Sequence, residues 1–473
     1  MAGGTAPRLH ATGYDRSACR TGFVHLGYGA FHRAHQAVYI DDYMEATGDL
    51  AWGIAAVNLR REESAAFAAA REAAEGYLLK TTSPEGEVTW RLVRSHLAFA
   101  DWSQDAAAAE ALLARPEVRA VTMTVTESGY ALGDDRALDT RHPVIAAELA
   151  GGPPRSVYGY LAAALSRRIE AGAGPLTLMC CDNIRSNGHM LEANLTAYCR
   201  ALGREDIADW LAAHAAFPCS MVDRITPRAG EALLAEAGRL FPGRALAPIH
   251  AEAFIQWVLE RRFAGPVPDL ARAGVEVVDD VDPYEEAKIR ILNGGHTGLA
   301  YLGALAGHRT FDQAMADPRL RAHFDAWERD CVLPGLTIAL PFDKERYLEN
   351  IAARFSNAAI ADQLERICMD GFAKMPIYIL PTIESCLDLG RDPVPGYDCV
   401  ASWVVYARRV AAGTARVPYH DPYWPVLEPL LAPGREADLA RLPQLWGDMP
   451  ARHPRFVEGV RAAIGRMERD WPA

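Results

Sequence analysis

The segment YEEAKIRILNGGHTGLAYLG, residues 284–303, carries Lys288, Asn293 and His296 in an otherwise small and apolar stretch. Each polar head costs free energy there unless it is paired. Taken as an α-helix at about 100° per residue, the three side chains fall within roughly 140° of arc. A lysine withdrawn from water sheds its proton readily, and one whose pKa drops from ~10.4 toward ~7–8 is a competent general base. The asparagine amide offers a neutral N–H donor to a developing alkoxide or carbonyl oxygen. A histidine one turn on can hold a neighbouring hydroxyl. The competing reading is a helix whose lysine snorkels and whose polar groups bond nearby backbone. Gly294-Gly295 weighs against it: each glycine costs a helix about 1 kcal/mol relative to alanine, and close approach of another group would explain both.

A second chemical feature is Gly27-Tyr28-Gly29, which follows the apolar run Phe23–Leu26 and opens a helical pattern. Glycines at such a strand-to-helix turn let the backbone approach a pyrophosphate at a helix N-terminus. His32 stands where the third glycine of GxGxxG would be, so the fingerprint is incomplete. Phe31 and Arg33 are placed to flank a dinucleotide, Arg33 by charge. His32 and His35, three apart without a carboxylate or cysteine beside them, read as structural hydrogen-bonding residues rather than metal ligands. The next β-run, Trp52–Val57, leads into Asn58-Leu59-Arg60-Arg61-Glu62-Glu63. Asn58 can accept from a ribose hydroxyl, whereas Arg60 or Arg61 would suit a 2′-phosphate, so NAD is expected and NADP stays open.

The elements that must carry these groups follow from periodicity. Further β-rich runs occur in VRAVTMTVTES and PLTLMCCDN, and SPEG joins two β-prone runs as a hairpin turn. Apolar strands alternating with helical stretches predict a parallel sheet covered on both faces. Beyond Pro283 the patterns are almost wholly helical. The expected fold class is α/β: an N-terminal Rossmann-type doubly wound domain over 1–280 and a mainly α-helical substrate-binding and catalytic domain over 281–473.

Among the 473 residues half are hydrophobic, and the net charge is −12, which disfavours nucleic acid and anionic membrane surfaces as partners. No apolar run reaches the roughly 18 residues of a membrane span, and the first residues lack the apolar core of a secretory leader. Nine scattered cysteines without a CxxC pair suggest reduced thiols in a cytoplasmic enzyme. No metal is expected, and a monomer or small homo-oligomer is.

The blocks GYGAFHRAHQAVYIDD, TVTESGY, CDNIRSNG, MVDRITP, EAFIQWV and KIRILNGGH resemble, in order and spacing, the polyol-specific long-chain dehydrogenases and reductases, the mannitol dehydrogenase family. The likeness runs from about residue 22 to at least 385, and K-x-x-x-x-N-x-x-H is its most specific element. It implies metal-independent transfer of hydride between a secondary alcohol of an open-chain polyol and a nicotinamide. By that resemblance Lys288 is the base in oxidation and the acid in reduction, Asn293 and Asn183 hold the reacting oxygen, and His296 orients the substrate. Glu127 assists proton movement, Asp223 lies near the nicotinamide, and Lys374 belongs to a substrate wall. Tyr284 and Lys288 also form the Y-x-x-x-K pair of short-chain dehydrogenases, but at a domain junction, so Tyr284 ranks below Lys288 as base. Ala251 stands where many relatives have serine, and Arg60-Arg61 replaces a plain acid. The segment 340–386 is most similar to the D-arabinitol 4-dehydrogenase branch, implying D-arabinitol to D-xylulose; the alternatives are mannitol to fructose, a related hexitol, or a hexuronate. A methyltransferase would also suit the glycine turn and the polar end of the second strand but would leave the lysine, asparagine and histidine unexplained; a nucleotide-binding regulator is the third reading, distinguished by NADH binding without polyol oxidation.

Overall fold

Every residue of the run Thr21–Leu26 is buried, and so is every residue of Gly53–Asn58, because each strand sits inside a sheet covered on both faces. In the computed structural model, which describes residues 9–72, 75–133, 135–242 and 247–471, these two runs are the centre of a six-stranded sheet. Its order is β6 (His96–Asp101), β3 (Gly53–Asn58), β2 (Thr21–Leu26), β7 (Ala120–Met123), β8 (Leu176–Cys180), β9 (Ala215–Ala216). All its pairings are parallel. The chain winds outward from β2 in both directions, so the crevice between β2 and β7 is the topological switch point, where such sheets bind ligands. Val24, Leu26, Val121 and Leu178 face one apolar core; Phe23, Ile54, Ala120 and Met179 face the other. That period-two split is the physical content of a doubly wound α/β fold.

Two smaller sheets flank it. One orders β1 (Leu9–Ala11), β5 (Val88–Val93), β4 (Tyr77–Thr82) and β11 (Ile249–Glu252), with β4 and β5 forming the hairpin expected around SPEG. The other orders β10 (Ser220–Asp223), β12 (Gln256–Glu260) and β13 (Glu276–Val278). β1, β6, β9, β10, β11, β12 and β13 are not among the strands expected from the sequence; five of them have only two to four residues and carry too few periods to stand out. The alanine-rich run at 65–74 is helical over Ser64–Arg71; its last two alanines lie outside the described residues, as do residues 1–8 of the leader reading.

The chain divides into two compact units at Asp282/Pro283, apart from the turn residues Pro84–Gly86. The second unit is helical around one large core that includes the helices Gly294–Leu305, Val394–Ala411 and Arg455–Asp470, with Trp327, Trp403 and Trp446 fully buried. No helix among the described residues is long and apolar enough to cross a membrane.

Candidate active site

The glycine turn is held by contact. Gly27 has φ +95°, and a Cβ on it would lie 2.6 Å from the Thr124 carbonyl oxygen, so only glycine permits β2 to leave the sheet this close to β7. Gly29 caps the short helix Ala30–Ala34, with open space where a Cβ would be. The turn forms part of the wall of a cavity of about 300 Å³ lined by Gly27, Tyr28, Gly29, Asn58, Arg60 and Thr126, among others, within the usual size range of small-ligand sites. His142, Arg155 and Ser156, which sequence reading missed, form another wall. The available signal was Ser156 after a Pro-Pro-Arg run, an N-cap for the helix Val157–Glu170.

Asn58 ends β3 with its amide clasping the following turn: Nδ2 donates to the Arg60 carbonyl (2.8 Å), and Oδ1 accepts from the Arg60 amide (3.2 Å). Arg60 is exposed and pairs with Glu63 at 3.3 Å, both on the cavity wall. Arg33 does not line this cavity. Its guanidinium lies over the rings of Tyr28 and Tyr77 at 5.1 and 5.3 Å and donates to the Ala247 carbonyl. Phe31 stacks on His35, whose Nε2 meets the Gln256 carbonyl at 2.8 Å. His32 is buried, 2.9 Å from the Nε2 of His96 and stacked on His25, with burial holding its pKa well below the ordinary value. Both histidines are thus structural hydrogen-bonding groups.

Asn183 and Glu127 follow β8 and β7 and are exposed. One carboxylate, also missed in the sequence, ties their loops together. Asp182 accepts from the backbone N–H groups of Val125 and Thr126 (both 2.9 Å) and from the Tyr130 hydroxyl (2.7 Å). Burial raises the pKa of Asp182, while these donors favour the ionised form. Replacing Asp182 by alanine strands those donors in a partly buried place. The expected cost is about 2 kcal/mol of stability, read as a lower urea midpoint. Asp223 ends β10, buried, opposite Gln256 on β12.

In the second unit the helix expected over the lysine segment is not a uniform α-helix. Residues Asp282–Ala287 are α, Lys288–Asn293 form a π-helical turn, and α resumes over Gly294–Leu305. A π-turn closes over five residues rather than four, so Lys288 and Asn293 stand one turn apart on one side, closer in angle than the α-helical arc implied. Arg290 fixes the turn from within. Its Nε donates to the Thr382 hydroxyl (2.7 Å), its Nη1 to Glu286 (2.9 Å) and its Nη2 to the Gly335 carbonyl (3.3 Å). The glycine pair is explained by close approach: a Cβ on Gly294 would lie 3.1 Å from the Tyr378 carbonyl oxygen, and one on Gly295 would strike Glu328. Two further π-turns, Trp327–Val332 and Met375–Ile379, supply those two neighbours.

Lys288 is 7% exposed. Asn293 Oδ1 and His296 Nε2 are buried with no hydrogen-bond partner among the described residues. His296 lies edge-on to Phe311 and stacked on Phe355, with its Nε2 3.7 Å from Asp362. Burial drives its pKa down to about 3; Asp362 opposes the shift, and Arg366, Lys374 and Arg354 add to it. The ring is therefore neutral near pH 7, with one donor and one acceptor nitrogen. Lys374 donates to the Ile367 carbonyl at 2.8 Å. Tyr284 packs against Phe342.

The first unit has the strand order and glycine turn of a nicotinamide-dinucleotide domain, NAD or NADP, and the second carries a buried lysine on the same segment as two unsatisfied polar atoms; these are the marks of an oxidoreductase of the dehydrogenase class. Comparison with known proteins narrows this. The Mannitol dehydrogenase Rossmann domain matches residues 21–272, and the Mannitol dehydrogenase C-terminal domain matches 280–467. A D-arabinitol 4-dehydrogenase of Ralstonia nicotianae is 38% identical over 453 residues, 94% of this chain and 96% of that one. A mannitol 2-dehydrogenase of Phaeosphaeria nodorum is 36% identical over 97% of this chain and 81% of its own. The solved ternary complex of Pseudomonas fluorescens mannitol 2-dehydrogenase with NAD and D-mannitol superposes with a TM-score of 0.88 at 34% identity, covering 98% of this chain and 95% of that one. The chain belongs to the mannitol dehydrogenase family of polyol dehydrogenases.

Proposed function

We propose that this protein oxidises a secondary alcohol of an open-chain polyol to the ketose with NAD, D-arabinitol to D-xylulose being the leading pair and mannitol to fructose the second. The observation that carries the reading is the pair of buried, unsatisfied atoms, Asn293 Oδ1 and His296 Nε2, on the same short segment as buried Lys288. Unsatisfied buried polar groups are rare in native proteins, and a polyhydroxylated ligand supplies the partners they need.

In this mechanism Lys288 takes the proton of the reacting hydroxyl during oxidation and returns it during reduction. The amides of Asn293 and Asn183 donate to the reacting oxygen as negative charge develops on it. Neutral His296 and Lys374 orient the remaining hydroxyls, and Glu127 passes the proton on to solvent. Gly27, Gly29 and Asn58 hold the dinucleotide, which supplies the hydride-accepting ring, and Asp223 belongs to its nicotinamide side. The Arg60–Glu63 pair supports NAD over NADP: Glu63 pairs with Arg60 just after β3 and its carboxylate repels a 2′-phosphate there. The nine cysteines, none of them in a disulfide, suit a cytoplasmic enzyme.

The reading is tested with D-arabinitol, mannitol, sorbitol and xylitol, each with NAD and with NADP, following NADH or NADPH absorbance and identifying the ketose formed. D-Arabinitol with NAD is expected to give the highest kcat/KM and D-xylulose as product. The highest value with mannitol moves the assignment to the second reading, and no reduction with any polyol defeats both. EDTA is expected to leave the rate unchanged; a loss restored by zinc would overturn the metal-free mechanism.

A further inference from the structure

We propose that His189, Cys219 and Glu260 form a binding site for a divalent transition-metal ion of the zinc type, separate from the groups assigned to polyol oxidation. One ligand atom from each lies within 4.8 Å of the others, the single such grouping among the described residues. All three belong to the first unit.

The three donors come from three segments of chain, and backbone pairing brings them together. Cys219 immediately precedes β10, and Glu260 ends β12, the antiparallel neighbour of β10. The Glu260 amide donates to the Cys219 carbonyl at 2.9 Å, and the Cys219 amide donates to Glu260 Oε2 at 2.8 Å, which holds that carboxylate beside the cysteine. His189 comes from the first turn of the helix Asn187–Ala201. Gly188, next to it, has Phe217 and Pro218 so close that a Cβ would lie 2.5 Å from the Phe217 carbonyl oxygen. A bare glycine therefore lets the segment before Cys219 press against the helix start. Asn187 locks the contact: its Nδ2 donates to the Ser220 carbonyl (2.8 Å), and its Oδ1 accepts from the Ser220 amide (2.9 Å).

Thiolate, imidazole and carboxylate form a donor set that zinc accepts, with the fourth tetrahedral position left to water. Bonds of about 2.0–2.3 Å at tetrahedral angles put ligand atoms roughly 3.3–3.8 Å apart. The three atoms must therefore draw in by roughly 1 Å from their 4.8 Å limit, and exposed His189 has the most room to move. Arg262, two residues beyond Glu260, is matched by Glu192, to which its Nη2 donates at 2.9 and 3.1 Å.

An ion here would clamp the helix start to the β10–β12 pair. The same helix start reaches the Asp182 carbonyl through Asn187 Nδ2 at 3.1 Å. Such an ion would add to the stability of the first unit, and its removal is read in Tm rather than in the oxidation rate.

The test uses untagged full-length protein, stripped with a chelator and desalted, then titrated with Zn²⁺ by calorimetry and with Co²⁺ by absorbance. Cys219→Ser and His189→Gln are treated in parallel. The expected result is one equivalent bound, a thiolate-to-cobalt charge-transfer band, and a zinc-dependent rise in Tm. Both variants are expected to bind more than about tenfold more weakly. Because His189 is exposed, His189→Gln keeps the fold even where Cys219→Ser does not. Absence of stoichiometric binding, a cobalt spectrum without the thiolate band, or wild-type affinity in folded His189→Gln would each overturn the proposal.

Discussion

Replacing Lys288 by alanine is expected to remove polyol oxidation almost entirely while NADH still binds. A positioned general base contributes roughly 10²–10⁴-fold to rate, and no other amine lies on the Lys288–His296 segment. The cavity at the glycine turn is built wholly from first-unit residues, whereas Lys288 belongs to the second, so cofactor affinity should change little. The side chain is buried, so an alanine also opens a void. Lys288→Met fills that volume and separates the two effects: it should keep the wild-type Tm and lose kcat as severely as alanine does. Small primary amines added to Lys288→Ala should restore part of the rate, with a pH dependence set by the added amine. Near-normal kcat in either variant would show that another group takes the proton.

The second large effect is expected at Asn293. Aspartate has nearly the same shape but replaces the N–H donor with an anionic acceptor, directed at an oxygen that becomes negative during oxidation. Loss of one such donor costs about 10²–10³-fold in kcat. Asn293→Asp is expected to reach or exceed that, with a smaller change in KM, because the interaction strengthens only as charge develops. Asn293→Ala removes the donor without adding charge and should fall less. A change confined to KM in both variants would assign Asn293 to substrate binding alone. Its place at the end of the π-turn, one turn from Lys288, makes the two substitutions non-additive.

The sequence was most informative where physics is local. β2, β3, β7 and β8 were legible as apolar runs, because a strand buried on both faces has no polar side to blur the signal. Gly27 was legible because a positive-φ turn next to a neighbouring carbonyl admits almost nothing else. Lys288, Asn293 and His296 stood out because three polar heads in apolar surroundings are costly. Other roles were not legible. Arg33 reads as a phosphate ligand by position, yet its cation is taken up by Tyr28 and Tyr77, the latter forty-four residues away. Asp182 carries no signal of its own along the chain, and only contacts more than fifty residues distant make it the anchor of two loops.

From the sequence alone came the class of the first domain, the helical character of the second, and the identity of the polar residues around Lys288, since these rest on periodicity and on the cost of burying charge. The tertiary structure alone decided that Lys288–Asn293 is a π-turn, braced by Arg290 and entered by Glu328 and Tyr378 at the glycine pair. It likewise decided that His189, Cys219 and Glu260 converge. An extra residue in a helical turn, or three donors drawn from separate strands and a helix, depends on which distant surfaces pack together, and no short-range pattern along the chain encodes that.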